Sequence, residues 1–171
     1  MTNIIETDRL ILRPLNINDS AFTLSLLNSS GWLEFIGDRG VRDIKAAETY
    51  LADKVFTLYE KYGYGPYGVR TKEDETLTGF CGLFKRDFLE DVDIGFAFLP
   101  ECTGRGYAIE SAIAVMEDAR TELGLKKVAA ITLEKNIRSI NVLKKLGMQF
   151  ERNIIYPESK EELMLYSINF E

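Results

Sequence analysis

The chain has 171 residues and not one histidine. That absence removes Ser-His-Asp and Cys-His nucleophilic chemistry, imidazole acid/base catalysis and most zinc sites, so no metal is expected. Cysteine is nearly absent too: Cys81 and Cys102 are the only two. With no signal peptide they read as free thiols rather than a disulfide. Cys81 reads as core, and Cys102 lacks the usual base that would activate it. Long apolar runs are missing: stretches such as Ile94 to Pro100 fall far short of a bilayer span. No basic segment followed by an apolar one stands at Met1 to Leu10, so a cytoplasmic protein without a membrane partner is expected. No block of consecutive Lys/Arg occurs, and the net charge is −6 from 27 acidic and 21 basic residues; nucleic acid is not an expected partner. There is no Pro/Gly/Ser-rich linker and no repeat, so residues 1–171 are expected to form one domain. The chemistry left to such a chain uses carboxylates, hydroxyls and backbone.

What is present is a strand, a glycine-spaced turn and a helix in immediate succession, Leu99-Pro100-Glu101-Cys102-Thr103-Gly104-Arg105-Gly106-Tyr107-Ala108-Ile109-Glu110. A turn with Gly104 and Gly106 can point successive N–H groups into one concavity, and the next helix adds unpaired donors and the positive end of its dipole. Such a cradle suits a pyrophosphate. The spacing is neither G-x-x-x-x-G-K-[ST] nor G-x-G-x-x-G, because Ile109 stands where a third glycine would fall. A helix-entry turn that needs glycine only for backbone freedom is the plainer alternative.

Hydrophobic periodicity supplies the frame. Leu10 and Leu12 share one face of a first strand that Pro14 stops. A helix follows at about Asp19 to Leu27. A longer one begins at Asp43, carries Ile44, Ala47, Leu51, Val55, Leu58 and Tyr62, and ends at Gly63. Tyr67 to Arg70 and Leu77 to Phe84 read as a hairpin. In the next strand Val92, Ile94, Phe96 and Phe98 alternate with Asp93, Gly95, Ala97 and Leu99, leaving one face of small residues and a single carboxylate. A helix from Gly106 to about Gly124, a strand over Lys127 to Leu133, a short helix from Asn136 to Leu146 and a closing hairpin complete an α/β fold on a mixed sheet.

On these motifs the chain resembles the GNAT superfamily of N-acetyltransferases, specifically its RimJ/RimL branch. The branch's T-x-R-L-x-L-R opening is matched by Thr7, Arg9, Leu10, Leu12 and Arg13. Its I-G-[YF] strand falls on Ile94, Gly95 and Phe96, and its G-x-G-Y-A-x-E turn on Gly104, Gly106, Tyr107, Ala108 and Glu110. Its late N-x-x-S segment falls on Asn136, Ser139, Val142, Lys145 and Gly147. The resemblance implies a central, mostly antiparallel sheet of about seven strands flanked by about four helices. It also implies acetyl-CoA as cosubstrate, held between the strand ending at Leu99 and the strand ending at Leu133. The pantetheine would pair with the backbone around Phe96, Phe98 and Leu99, and the pyrophosphate with Thr103, Gly104, Arg105, Gly106, Tyr107, Ala108 and Ile109. Asn136 and Ser139 would contact the thiol-bearing arm. Thr103 stands where the superfamily often has Gln or Arg, which removes one side-chain contact to phosphate.

The reaction so implied is direct transfer to a primary amine through a tetrahedral intermediate, the acceptor being a peptide N-terminus or a small molecule. An amine of pKa about 8 to 10 must lose a proton before it attacks. Asp93 is the preferred base, because it shares a face with Gly95 and Ala97; Glu34 is the competitor. The tyrosine that usually serves the leaving thiolate is replaced by Leu143, which makes Ser139 the residue assigned there. Trp32, Tyr62, Tyr64 and Tyr67 form an expected aromatic wall for a cationic amine, with core packing as the alternative. A homodimer through the terminal hairpin is compatible with the family. The missing tyrosine also motivates a second reading, a catalytically weak CoA-binding module.

Overall fold

The computed structural model describes residues 3–171, so Met1 and Thr2 of the expected 1–171 domain lie outside the described residues. One sheet has the order β1-β2-β3-β4-β5-β6-β8-β7. Its strands are β1 Ile5–Glu6, β2 Leu10–Pro14, β3 Pro66–Thr71, β4 Leu77–Phe84, β5 Asp93–Phe98, β6 Lys127–Thr132, β7 Gln149–Ile155 and β8 Glu162–Asn169. Neighbours are antiparallel except β5 and β6. The helices are α1 Ser20–Leu27, α2 Ser30–Phe35, α3 over 44–62, α4 Tyr107–Thr121 and α5 Ile137–Lys145. The expected mixed α/β architecture forms, with eight strands rather than about seven and five α-helices rather than about four among the described residues. The additions are β1 and α2, two and six residues long, too short to carry a readable period. α2 holds because Trp32 is buried and meets Phe80 edge-on at 5.3 Å.

The two faces of the sheet bury different helices. Leu10, Leu12, Val69, Cys81 and Ile94 pack with Ala112, Val115, Met116 and Ala119 of α4 and with Ile140 and Leu143 of α5. The opposite face receives α1, α2 and α3 through Leu26, Leu27, Trp32 and Ala47, with Phe80, Ala97 and Leu99 against them. Phe96 and Phe98 therefore point toward α4, while Ala97 points toward α2.

The start and end of α3 match the sequence reading. The Asp43 carboxylate accepts from the Ala46 N–H at 2.8 Å, and Gly63 closes the helix. Its middle differs, because Leu51–Phe56 forms a π-helical stretch. In an α-helix, residues four apart drift about 40° around the axis. The wider π turn cancels that drift, keeping Ala47, Leu51, Val55 and Tyr59 on the packed side while Ile44 stays exposed. Tyr59, rather than Leu58, continues the packed stripe, and its hydroxyl accepts from the Leu15 N–H at 3.0 Å and donates to the Pro66 carbonyl. Ahead of α1, Arg13 grips Asp19 through two hydrogen bonds of 2.8 Å, and Asp19 also accepts from the Asn16 N–H at 2.8 Å.

Candidate active site

Between β5 and β6 the sheet comes apart. The two parallel strands share a single register pair, Asp93 with Ala129. The Leu99 N–H donates to Thr78 on the β4 side, whereas the Val92 carbonyl accepts from the Ala129 N–H, each at 2.8 Å. Backbone groups alternate between the two edges of a strand, so Phe96 and Phe98 direct their N–H and C=O groups toward β6 and meet no strand there. Six residues at about 3.3 Å each separate Asp93 from Leu99, giving a cleft roughly 20 Å long that is closed at Asp93 and open at the turn.

At the open end lies the glycine turn. Gly104 and Gly106 have φ of 77° and 81°, a left-handed conformation that a side chain would strain. The first backbone donor used in this region is that of Glu110, to the Gly106 carbonyl at 3.1 Å. Among the described residues the six N–H groups from Gly104 to Ile109 have no protein acceptor. A run of free donors at the start of a 15-residue helix fits a pyrophosphate, through both the hydrogen bonds and the dipole. The turn is held from outside by the N-terminal segment. Glu110 accepts from Thr7 Oγ1 at 2.6 Å, from the Arg9 N–H at 2.9 Å and from Arg9 Nε at 2.7 Å, and Arg9 Nη1 donates to the Arg105 carbonyl at 2.8 Å. Burial pushes the Glu110 carboxyl up, but these donors outweigh it and hold it below the usual range.

α5 begins beside the same opening. The Asn136 Oδ1 accepts from the Ser139 N–H at 3.2 Å and so caps the helix. Among the described residues Asn136 Nδ2 and the Ser139 hydroxyl are without partners. Thr103 is occupied structurally: its hydroxyl donates to the Pro100 carbonyl at 2.8 Å and accepts from Arg138 at 3.3 Å. The cradle and the start of α5 are thus brought together.

Asp93 sits at the other end, fully buried. Arg86 Nε lies 3.0 Å from each of its carboxylate oxygens. Burial raises the Asp93 carboxyl above the ordinary range, against the opposing pull of Arg86. Glu34 is exposed on α2, next to Phe35, whose ring Lys135 overlies at 5.9 Å. Two of the four expected wall aromatics are core instead: Trp32 is 4% exposed, with its N–H on the Gly37 carbonyl at 3.0 Å, and Tyr67 is 3% exposed under α4. Both find apolar surroundings because they fall on inward positions of their elements. Tyr62 and Tyr64 stack on each other at 5.7 Å.

Residues 9–149 match the family model of the acetyltransferase (GNAT) domain. The chain belongs to the GNAT acetyltransferase family. Relatives include the uncharacterised N-acetyltransferases YnaD and YoaA of Bacillus subtilis (strain 168). They are 27% identical over 147 residues and 26% identical over 152, spanning 86% and 88% of this chain and 83% and 85% of theirs. Among solved structures, an acetyltransferase from Agrobacterium tumefaciens superposes with a TM-score of 0.83 at 21% identity, over 99% of this chain and 96% of that one. RimL, described as a ribosomal L7/L12 α-N-protein acetyltransferase in complex with coenzyme A, gives 0.84 at 15% identity, over 98% of both chains. Likeness at such identity speaks for the fold.

In this GNAT domain the sequence reading missed three cations. Arg138 had a signal: a cation in the first turn of a helix opposes the dipole, so its presence there asks for a reason. Arg9 was visible only as a motif letter, 101 positions from Glu110. Arg86 lay in a loop with no period at all. The space beside Gly95 is also taken differently from the expectation that small residues leave room: a Cβ there would come within 2.9 Å of the Phe84 ring, and that ring supports the Arg86 guanidinium at 5.3 Å. A separate cavity of 350 Å³ lies on the β4 side of the turn, between Thr71, Asp74 and Thr78 and Glu101, Cys102 and Arg105. Its carboxylates make it a poor phosphate site.

Proposed function

We propose that this acetyltransferase moves the acetyl group of acetyl-CoA to a primary amine in the β5–β6 cleft. The observation that carries the reading is the run of six unpaired N–H groups from Gly104 to Ile109 at the mouth of a strand edge that has no partner. In this reading the turn holds the pyrophosphate, with Arg105 and Arg138 adding charge. Phe96 and Phe98 extend β5 with a ladder of hydrogen bonds to the amides of the pantetheine arm, as strand edges do for peptides. Asn136 Nδ2 contributes one more donor.

The chemistry supplied by acetyl-CoA is that of a thioester, which an amine attacks with departure of a thiolate. The chain's own residues manage the protons. Asp93 receives the amine proton, directly or through water; its burial raises its basicity, and Arg86 beside it favours the neutral, nucleophilic form of the amine. Glu34, exposed on α2, is the alternative base. The Ser139 hydroxyl donates a hydrogen bond to the departing sulfur, sufficient for a thiol whose pKa is near 8.5. The test is a mass-spectrometric product screen with acetyl-CoA and a panel of N-terminal peptides, amino acids, polyamines and aminoglycosides. Gain of one acetyl group on an acceptor supports the reading. Acetyl-CoA binding without any acetylated product would favour a binding module instead.

A further inference from the structure

At the closed end of the cleft two cations stand by one buried carboxylate. Although the net charge is −6, Asp93 is met there by Arg86 at 3.0 Å and has Lys85 within electrostatic reach. Arg86 uses only Nε for Asp93. Among the described residues its two terminal nitrogens have no hydrogen-bond partner, and they are not sealed from solvent, the side chain being 28% exposed. The guanidinium is nevertheless fixed, between the buried carboxylate on one edge and the Phe84 ring on its face at 5.3 Å. Gly95 is what lets that ring in. A fixed guanidinium with both Nη groups free has the fork geometry that matches a carboxylate.

A phenol stands on the same face of the sheet: Tyr50 of α3 packs with Phe80, whose ring lies 6.1 Å from that of Phe84. Arg39, half-buried between α2 and α3, makes no ion pair among the described residues. Arg39 and Arg86 both act electrostatically on the Tyr50 hydroxyl of α3, as does Tyr156 from the turn before β8. Two guanidinium groups around one phenol are poor surroundings for a polyamine, whose second ammonium would be repelled. They suit an oxyanion.

We infer that the acceptor is a small amine that also bears a carboxylate, of the amino-acid type, and that Arg86 and Arg39 beside the Tyr50 hydroxyl receive that carboxylate while the amine lies toward Asp93. The inference rests on reading the β5–β6 cleft as the site of acetyl transfer. It deepens that reading by selecting zwitterionic acceptors over cationic ones. It also gives Arg86 a double use, with Nε on the base and the Nη groups on the acceptor.

Matched acceptors test it. Leucine, leucinamide and isoamylamine share a side chain and differ in the group beside the amine; the same comparison runs across other amino acids and their amides, and over an acidic peptide. Leucinamide has the least basic amine, so amine basicity alone would favour the amide. The expected result is a kcat/KM at least about tenfold higher for acids than for their amides, a factor that one charge-assisted hydrogen bond readily supplies. Arg39→Gln is expected to raise KM for the acids and to collapse that ratio, with acetyl-CoA affinity by calorimetry retained. Arg39 leaves the Arg86–Asp93 pair intact, so its variant stays informative if Arg86→Gln fails to fold. Equal or faster transfer to amides, polyamines or the acidic peptide would overturn the inference while sustaining the acetyltransferase reading. Failure to bind or turn over acetyl-CoA with any amine would overturn both.

Discussion

Glu110→Ala removes the anchor of the phosphate turn without touching the cleft. The carboxylate takes donors from Thr7 Oγ1, the Arg9 N–H and Arg9 Nε at 2.6, 2.9 and 2.7 Å, and an ion pair to Arg9 Nη2 at 2.6 Å. Hydrogen bonds to a charged group are worth about 1.5–3 kcal/mol each when one partner is deleted. Here the Arg9 side chain is half exposed and rehydrates, which screens its share. A total loss of about 2 kcal/mol is therefore expected, and for a chain of this length that corresponds to a fall in Tm of roughly 4–8 °C. The freed Arg9 also loses its reason to hold the Arg105 carbonyl at 2.8 Å. The turn then samples conformations in which its N–H groups diverge, so Kd for acetyl-CoA rises about tenfold while kcat at saturation is retained. The folded-state pKa of Glu110 lies below its unfolded value. Its stabilisation is thus complete above about pH 4.3 and disappears as pH falls through the folded value, so the Tm gap to Glu110→Gln closes on acidification. Thermal melts and calorimetric titration read both effects. Unchanged Tm and Kd would refute the anchoring argument, and a loss confined to kcat would move Glu110 into the chemistry.

Four further outcomes follow from the same geometry. Because burial raises the Asp93 carboxyl and a base must be ionised, kcat/KM should rise with pH through a limb above the ordinary carboxylate value of about 4. Asp93→Asn should remove that limb together with at least about 100-fold in kcat; a wild-type profile would pass the role to Glu34 or water. Ser139→Ala should lower kcat more than acetyl-CoA affinity, and unchanged turnover would remove Ser139 from the mechanism. A thiol titration of the native protein should find one reactive cysteine, Cys102, since Cys81 is fully buried and burial pushes its thiol up to about 12; two fast thiols would contradict the packing under α4. Asp19→Ala strands Arg13 and should cost about 3 kcal/mol. Burial pushes the Asp19 carboxyl up, but Arg13 and the Asn16 N–H hold it lower than usual. That contribution is present above about pH 3.9 and fades as pH falls through the folded value, which urea unfolding at several pH values reads directly.

Local rules were enough for the frame. Alternation along Val92 to Leu99, glycine spacing at Gly104 and Gly106, and the Asp43 cap each encode a conformation within a few residues. The unread parts depend on contacts between distant positions. The six residues of α2 take their helix from Trp32 docking on Phe80, 48 positions away. The π stretch in α3 is set by which side chains the sheet will accept, and the stripe at steps of three and four reads as an unbroken α-helix. Trp32 and Tyr67 look like binding aromatics in the chain and are core in the fold, because the sequence does not say which sheet face a helix will cover. Arg86 reaches Asp93 from a loop, where neither period nor motif announces it.

A crystal structure with acetyl-CoA would test the central claim most directly. The expected result places the pyrophosphate on the amides of Gly104 to Ile109, with the pantetheine hydrogen-bonded to the backbone of Phe96 and Phe98 and the thioester directed toward Asp93. Density for the cosubstrate in the 350 Å³ cavity on the β4 side of the turn, with β5 and β6 unengaged, would contradict the account.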